Sequence, residues 1–528
     1  MFRNKDIIFS LISGVLLILG FPLFDLYPLA WVALVPLLIT LREKNARSSF
    51  CLGLLTGFIY FSGTIYWVYH SMYFYGNVPL IFSILLLIIL SLILALYVGT
   101  FSMLFNFLTK NSAIPALFIA PLLWVSLEYL RTYALTGFPW SILGYSQYKF
   151  LPLIQLSDIT GVYGISFLVA GFNGAIYDVA VLWPKKSDEM TTIRWPRALS
   201  IMLFLSFIII TLFYGMGKLK ETVEGVKINV SVIQGNIEQD KKWDYRFQRE
   251  VIDTYKRLSI NALSGNPDII VWPESALPFI FGYDKPLTEE IVTFQKELDS
   301  YLLFGSVIKK HSEDRNPKLS NSAVLLSPEG HTLSVYDKIH LVPYGEYVPL
   351  KDLFPFVDKM VTAIGDFIQG KETTVMETPF AKIGNLICYE IIFPGLVRKF
   401  VDNGATILAT ITNDAWFGRT AAPYQQFSMA VFRAVENRVP VVRAANTGIS
   451  GFIDSKGRII NKSDIFVEAL LTEEMKGGSK KSFYTKYGDI FSYLCIIISV
   501  LLIIIKLALE RGKSAKEAIC CHERVKTK

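Results

Sequence analysis

Long apolar runs alternate with short polar segments through the first 217 residues, and one more apolar run lies near the C-terminal end. The runs fall at 6–24, 27–41, 50–70, 78–108, 113–130, 161–183, 197–217 and 488–508. A helix needs about 20 apolar residues to cross a bilayer. The pattern therefore predicts a multi-pass bundle of eight membrane helices, the second short and the fourth long. No cleavage-site pattern follows the first run, so it counts as a helix and not as a secretion signal.

Between residues 220 and 486 the pattern changes. Residues 226–234 alternate apolar and polar, the period of a strand, and a helical spacing follows at 245–263. A buried strand at 269–272, a helix at 286–299 and a strand at 301–308 repeat the order. Further strands are expected near 322–328, 382–387, 405–412 and 439–445, with helices near 395–402 and 424–437. Gly330 and Ser455-Lys456-Gly457 carry the chemistry of hairpin turns. The segment reads as an α/β domain with mixed sheets. The chain thus divides into a seven-helix bundle (1–219), this domain (220–486), an eighth membrane helix (487–510) and a basic tail (511–528).

At 528 residues, with 52% hydrophobic residues and a mean hydropathy of +0.41, the chain is too apolar for a soluble protein. Its net charge of +7 does not point to nucleic acid, because Lys and Arg cluster in short segments between apolar runs. One set of segments holds Arg3, Lys5, Arg42, Lys44, Arg47, Lys110, Lys185, Lys186, Arg194 and Arg197, and the tail adds six more. The alternate loops hold only Arg131 and Lys149. The positive-inside rule then puts both termini in the cytoplasm and the α/β domain on the other face. Cys51 and Cys495 fall in membrane runs, and Cys520 and Cys521 in the tail. Cys388 is left as the single thiol of the external domain, with no partner there for a disulfide. Such a thiol is either a nucleophile or an ordinary small buried residue.

Its neighbours bear on that choice. Cys388 ends the apolar run 383–387 and is followed by Tyr389 and Glu390. Glu274 stands just after the strand at 269–272, and Asn413-Asp414 just after that at 405–412. Lys338 lies in Tyr336-Asp337-Lys338-Ile339-His340, and Glu346 in Pro343-Tyr344-Gly345-Glu346. Open α/β sheets bind ligands beyond the carboxyl ends of their strands. A thiol is mostly protonated near neutrality and needs a base to attack a carbonyl. Glu274 can take that proton and return it to a leaving group. Lys338 can stabilise the oxyanion of a tetrahedral intermediate, while Glu346 and Glu390 can hold Lys338 or shape the pocket. His340 offers an alternative Cys–His pair. Singly, Glu274 also reads as a solvated loop residue or helix cap, and Lys338 as a surface lysine. Jointly, with a thiol at a strand end, they read as a cysteine-based acyl-transfer site.

Several features stay open between site and scaffold: the run Asn413-Asp414-Ala415-Trp416-Phe417-Gly418, Arg443, and Asn446-Thr447-Gly448. Two apolar stretches sit beside the polar islands, Leu277, Phe279, Ile280 and Phe281 after Glu274, and Leu353, Phe354, Phe356, Val357 and Met360 after Glu346. They read either as lids that dip toward lipid or as core packing.

Trp-Pro-Glu at 272–274, the run from Tyr336 to Glu346 and Leu-Ile-Cys-Tyr-Glu at 386–390 resemble the Glu–Lys–Cys site of the nitrilase superfamily. With seven apolar runs before that domain and one after, the chain resembles the apolipoprotein N-acyltransferases of bacterial lipoprotein maturation. Glu128-Tyr129-Leu130-Arg131, Leu135-Thr136-Gly137-Phe138-Pro139-Trp140, Gln234-Gly235-Asn236-Ile237 and Lys242-Trp243-Asp244 are similar to further motifs of that family. The resemblance implies an αββα sandwich outside the inner membrane and no metal or diffusible cofactor. It implies a ping-pong reaction in which Cys388 takes the sn-1 acyl chain of a phospholipid as a thioester. The α-amine of diacylglyceryl-cysteine on an apolipoprotein then accepts that chain. By the same resemblance Glu274 is the general base, Lys338 the oxyanion stabiliser and Glu346 a further essential carboxylate. Trp243, Tyr389, Glu390 and Asn413 are supporting residues. One departure is visible: Pro423-Tyr424-Gln425-Gln426 stands where the family usually has Pro-x-Gln-His.

Two other readings compete. A membrane-tethered amidase or nitrilase-type hydrolase would resolve the same thioester with water. A transporter with an external binding module would place paired charges or broken helices at mid-membrane, and the central runs carry few ionisable residues.

Overall fold

The computed structural model describes residues 3–112, 114–182, 191–310, 318–343, 345–347 and 367–526. The apolar stretch from Leu353 to Met360 and the basic pair Lys185-Lys186 lie outside the described residues. Among the described residues, four helices are long and apolar enough to cross a membrane: Leu80–Thr109, Val162–Ala180, Arg197–Lys220 and Ile490–Gly512. A fifth span is formed if Ala46–Thr64 and Trp67–Tyr75, bent by 50° at a short break, are counted as one. The other three expected segments are also helical. Asn4–Leu19 has only 16 residues, Tyr27–Leu41 is a shorter apolar helix, and Ala116–Tyr133 carries Glu128 and Arg131.

Those two charges have structural partners. Arg131 donates to the backbone oxygens of Phe138 (3.0 Å), Trp140 (2.5 Å) and Ser141 (3.3 Å). Glu128 accepts from the Leu143 N–H at 2.7 Å. Together they fold the loop after this helix so that Trp140 points inward, fully buried.

The polar middle of the chain builds two sheets. The first uses β1 (Lys227–Gln234), β2 (Ile269–Val271), β3 (Ile280–Phe281), β4 (Tyr301–Lys310), β5 (Lys318–Leu326) and β6 (Thr332–Asp337). The second uses β7 (Val375–Glu377), β8 (Lys382–Ile387), β9 (Ile407–Thr412), β10 (Val441–Ala445), β11 (Gly451–Ile453) and β12 (Ile459–Lys462), and β13 (Ala469–Lys476) returns to the first. The strand orders are β13-β1-β2-β4-β5-β6, with β3 beside β4, and β12-β11-β10-β9-β8-β7. β1, β2 and β4 run parallel, as do β8, β9 and β10, with antiparallel strands outside them. β9 is buried on both faces because helices and the other sheet cover it.

Side chains of both sheets share one core, Val230, Val232, Leu303 and Leu325 from the first with Leu386, Leu408 and Val442 from the second. Helices Gln248–Ala262 and Lys285–Gln295 cover the outer face of the first sheet, where Tyr255 stacks on Trp272 at 5.1 Å. Helices Pro394–Asp402 and Ala422–Asn437 cover the second. The layers are therefore αββα. One open choice is decided here: Leu277, Phe279 and Phe281 are core packing under those first helices and not a lid. The cause is β3, whose Ile280 and Phe281 pair in parallel with Val307 and Ile308 of β4.

Helix Ala422–Asn437 is buried along nearly its whole length because it lies between the second sheet and the bundle. Its polar residues are consequently paired. Gln425 donates to the Thr64 oxygen at 3.0 Å, a carbonyl freed at the bend where Thr64 Oγ1 turns back to Tyr60. Trp140 Nε1 donates to Gln425 Oε1 at 2.6 Å. Arg433 reaches Tyr145 OH at 2.9 Å, and Glu436 accepts from the Val162 N–H at 3.0 Å. A Trp140→Phe substitution replaces the indole by a smaller aromatic ring and leaves Gln425 Oε1 without its donor. It is expected to cost about 1–3 kcal/mol, read as a lower thermal midpoint of the full chain in detergent. An unchanged midpoint would count against this docking contact.

Candidate active site

Four strand ends deliver the site, two from each sheet. Glu274 follows β2, Lys338 follows β6, Cys388 follows β8 and Asn413 follows β9. The sheets face each other, so residues far apart in sequence converge at one edge of the sandwich. Lys338, 1% exposed, is held at 2.9 Å from Glu346 Oε1 and 3.4 Å from Glu274 Oε1. Asn321 on β5 donates to both carboxylates, each at 2.8 Å. Glu274 Oε2 accepts the backbone N–H of Asn413 at 2.9 Å, across the gap between the sheets. Glu346 Oε2 accepts from the Val342 N–H at 2.8 Å.

A second buried ammonium stands beside this cluster. Lys242, also 1% exposed, donates to the Glu274 backbone oxygen at 2.9 Å. Two carboxylates thus face two ammonium groups, and the cluster is close to neutral. The electrostatics follow from that balance. Burial pushes the Glu274 carboxyl up, but Lys338, the Asn321 amide, Lys242 and the Asn413 N–H together hold it below its ordinary value. Burial pulls Lys338 down, and Glu346, Glu274 and Cys388 more than reverse it, so it stays charged. Lys242, with fewer compensating charges, is pulled by burial down to about 8. The Cys388 thiol is pushed up to about 12 by burial and by Glu274, with Lys338 opposing. The resting group is therefore the thiol.

Cys388 sits in a sharp turn. Its φ of +52 is in the left-handed region, which side chains other than glycine seldom adopt. Glu390 braces that turn. Its fully buried carboxylate accepts from Ile387 N (2.7 Å), Ile339 N (2.7 Å), His340 N (3.1 Å) and Tyr336 OH (2.7 Å). It ties the thiol's strand to the segment bearing Lys338, and it does not hold Lys338 itself.

Sequence expectations fare unevenly beyond this core. Tyr389 is buried beside the turn and packs edge-on against Phe393 at 5.2 Å. His340 stacks on Phe393 at 3.7 Å and is pulled by burial down to about 4. It is a neutral packing residue and not the partner of the thiol. Asn413 contributes its backbone to Glu274, while its side chain joins Gln239 (2.7 Å) and Asn446 (3.0 Å). Trp243 remains 41% exposed, and among the described residues its ring has no polar or aromatic partner.

Arg443 is fully buried and pairs with Asp414 at 2.8 Å, which resolves that pair as scaffold behind Cys388. Trp416 and Phe417 face the bundle, where Ser71 Oγ donates to the Trp416 oxygen at 2.7 Å and Phe417 packs on Trp67 at 5.0 Å. Phe393, just past the thiol's turn, lies against Gly137 of the bundle's loop.

Asn321 was not singled out from the sequence, and Lys242 was named only within the Lys242-Trp243-Asp244 motif, with no role of its own. The signal for Asn321 is Ser320-Asn321-Ser322, three polar residues inside an otherwise apolar strand. Apart from that motif Lys242 gives no signal of burial, since a lysine in a polar turn reads as exposed.

The αββα layers and the match of residues 229–479 to the carbon-nitrogen hydrolase family model define a carbon-nitrogen hydrolase domain, here joined to apolar helices. Residues 13–175 match the model of the apolipoprotein N-acyltransferase N-terminal domain. A Geobacter metallireducens protein named apolipoprotein N-acyltransferase is 44% identical, covering 93% of this chain and 94% of its own. Proteins of the same name from Pasteurella multocida and Haemophilus influenzae are 30% and 31% identical, covering 92% and 95% of both chains. The chain belongs to the apolipoprotein N-acyltransferase family.

Proposed function

We propose that this protein moves an acyl chain from the sn-1 position of a phospholipid to the N-terminal α-amine of diacylglyceryl-cysteine in apolipoproteins, through a thioester on Cys388. The observation that carries the reading is the convergence of Glu274 and Lys338 with Cys388 at one sheet edge, beside the end of the apolar bundle. Glu274 acts as the general base, Lys338 as the oxyanion stabiliser, and Glu346 as the second carboxylate that fixes Lys338.

In the first half, the Cys388 sulfur attacks the ester carbonyl carbon while its proton passes to Glu274. The charge that develops on the carbonyl oxygen is met by the Lys338 ammonium. Collapse breaks the ester C–O bond, and the departing lysophospholipid oxygen takes the proton back from Glu274. In the second half, the free amine attacks the thioester carbonyl and gives a proton to Glu274. The C–S bond breaks, and the sulfur recovers that proton as a thiol. Because the cluster is near neutral, handing the proton to Glu274 avoids leaving an uncompensated thiolate in a buried site.

The reading extends to the membrane. Eight crossings comprise a seven-helix bundle over 1–219 and one helix over 487–510. Both termini, with the tail 511–528, lie in the cytoplasm, and the catalytic domain over 220–486 lies on the periplasmic face of a bacterial inner membrane. The charge asymmetry of the loops supports this orientation. Phospholipid is then the donor, an apolipoprotein the acceptor and the bilayer the common medium.

The test is the product. The purified protein, given phospholipid and a diacylglyceryl-cysteine peptide, is expected to yield a peptide heavier by one amide-linked acyl chain. Free fatty acid with an unchanged peptide would show a hydrolase instead.

The pH profile follows from Glu274. Its value is held below the ordinary 4.5, and its ionised form is the base. Acylation of Cys388, the half that needs no amine, should therefore persist as pH falls to 4.5 and decline only as Glu274 protonates below it, whereas onward transfer also needs the acceptor α-amine unprotonated and declines below about pH 8. The stability it contributes has the same sign, complete above 4.5 and lost as pH falls through the folded-state value. Single-turnover acylation rates and thermal midpoints across this range check both, and an acylation rate that falls well above 4.5 would contradict the assignment of the base.

A further inference from the structure

Gln425 and Gln426 are adjacent on one helix turn and face opposite ways. Gln425 binds the bundle, through Trp140 and Thr64. Gln426, fully buried, donates from Nε2 to the backbone oxygen of Cys388 at 3.1 Å. Its Oε1 accepts from Arg443 Nη2 at 2.7 Å. Arg443 also holds Asp414 Oδ2 at 2.8 Å, and Asp414 Oδ1 accepts from Thr412 Oγ1 at 2.7 Å. Thr412 ends β9, the strand that pairs in parallel with β8, which leads into Cys388. The path runs from the Cys388 carbonyl to the end of β9, entirely through buried groups.

We infer that Gln426, clamped by Arg443, is a positioning residue that holds Cys388 in its left-handed turn and so aims the sulfur. The inference rests on the proposed reading of Cys388 as the nucleophile. Three observations carry it. The Cys388 φ of +52 needs support from its surroundings to persist in a residue with a side chain. The Gln426 amide supplies a bond to that residue's own carbonyl. Arg443, which can only donate, admits the amide in one orientation, with oxygen toward the guanidinium and nitrogen toward Cys388. Reversing the amide would set donor against donor. Glu390 braces the same turn at Ile387 from the other side, so the turn is held at two consecutive residues. Gln425 registers the helix against the bundle, and the aim of the thiol is thereby set relative to the half of the molecule that faces lipid.

The test uses the full-length protein in phospholipid-containing detergent micelles. It reads the single-turnover rate at which hydroxylamine-labile acyl appears on Cys388 and the phospholipid concentration giving half that rate. Gln426→Leu removes both bonds. Gln426→Glu keeps the shape and the Arg443 pairing but, when ionised, cannot donate to the Cys388 carbonyl. Each is expected to slow maximal acylation about 10²-fold, the usual cost of a misplaced reacting group, with half-saturation unchanged. Gln426→His is expected to recover most of the rate, because a neutral imidazole offers one donor and one acceptor.

If Gln426→Leu fails to fold, Gln426→Glu carries the test, since its carboxylate still satisfies Arg443. Acylation at the parent rate in Gln426→Glu overturns the inference, as does a His variant no faster than the Glu variant. A parent protein that forms no thioester at all overturns the proposed function instead, so the two failures are distinct.

Discussion

Cys388→Ala is expected to form no acyl-enzyme and to transfer no acyl chain, a loss on the order of 10⁶-fold, as when the nucleophile of a covalent mechanism is removed. The size follows from the site. Among the described residues, free thiols stand at Cys51, Cys388 and Cys495, and only Cys388 shares its surroundings with Glu274 and Lys338. The substitution removes one buried sulfur and leaves both carboxylates and both ammonium groups paired, so the variant should keep the parent's thermal midpoint. Radiolabelled acyl transfer and unfolding in the same detergent separate the two effects. A transporter carrying an external binding module would be indifferent to this change. Residual transfer near the parent rate would show the sulfur to be a bystander.

Lys338→Met is the second large effect, and it strikes both stability and rate. Lys338 is the only charge bonded to both Glu274 and Glu346 among the described residues. Removing it leaves two carboxylates sharing Asn321 in a buried site. Taking one partner from a buried ion pair costs about 3–5 kcal/mol, and the like charges push one carboxyl to protonate. If Glu274 takes that proton, the base is lost together with the oxyanion's partner. Acylation should fall by about 10²–10³-fold, the range for losing one oxyanion donor. Activity should also become sensitive to pH near neutrality. Rapid-quench acylation and thermal unfolding check the two parts, and a variant as fast and as stable as its parent would remove Lys338 from the mechanism.

Much of this site could be read from sequence because its residues end strands. Glu274, Cys388 and Asn413 each follow an apolar run, and an apolar run that stops at a polar residue is a local signal. What could not be read depends on contacts between distant segments. Asn413 acts through its backbone N–H, which carries no sequence signature. Lys242 is buried only because β2 brings the Glu274 carbonyl to it. Gln426 stood out as a departure from a family pattern, yet its bonds to Cys388 and Arg443 depend on how helix Ala422–Asn437 seats on the second sheet.

That the stretch from Leu277 to Phe281 stayed open between lid and core has a similar origin. An apolar stretch after a polar island looks the same as a lid or as a two-residue strand, and only pairing with β4 decides. β13 was missed because Thr472, Glu473 and Glu474 make it read as a polar loop, while its register against β1 makes it a strand. In the bundle, apolar length identified the long helices. It could not anticipate that Glu128 and Arg131 are spent on folding a loop.

The central claim is that one sulfur carries the acyl chain between donor and acceptor. Its most direct measurement is the mass of the Cys388 peptide after the purified protein meets phospholipid, with and without hydroxylamine, and again after a diacylglyceryl-cysteine peptide is added. The account predicts an acyl mass on that peptide, released by hydroxylamine and discharged to the added amine. An acyl group that resists hydroxylamine, sits on another residue, or fails to leave for the amine would contradict it.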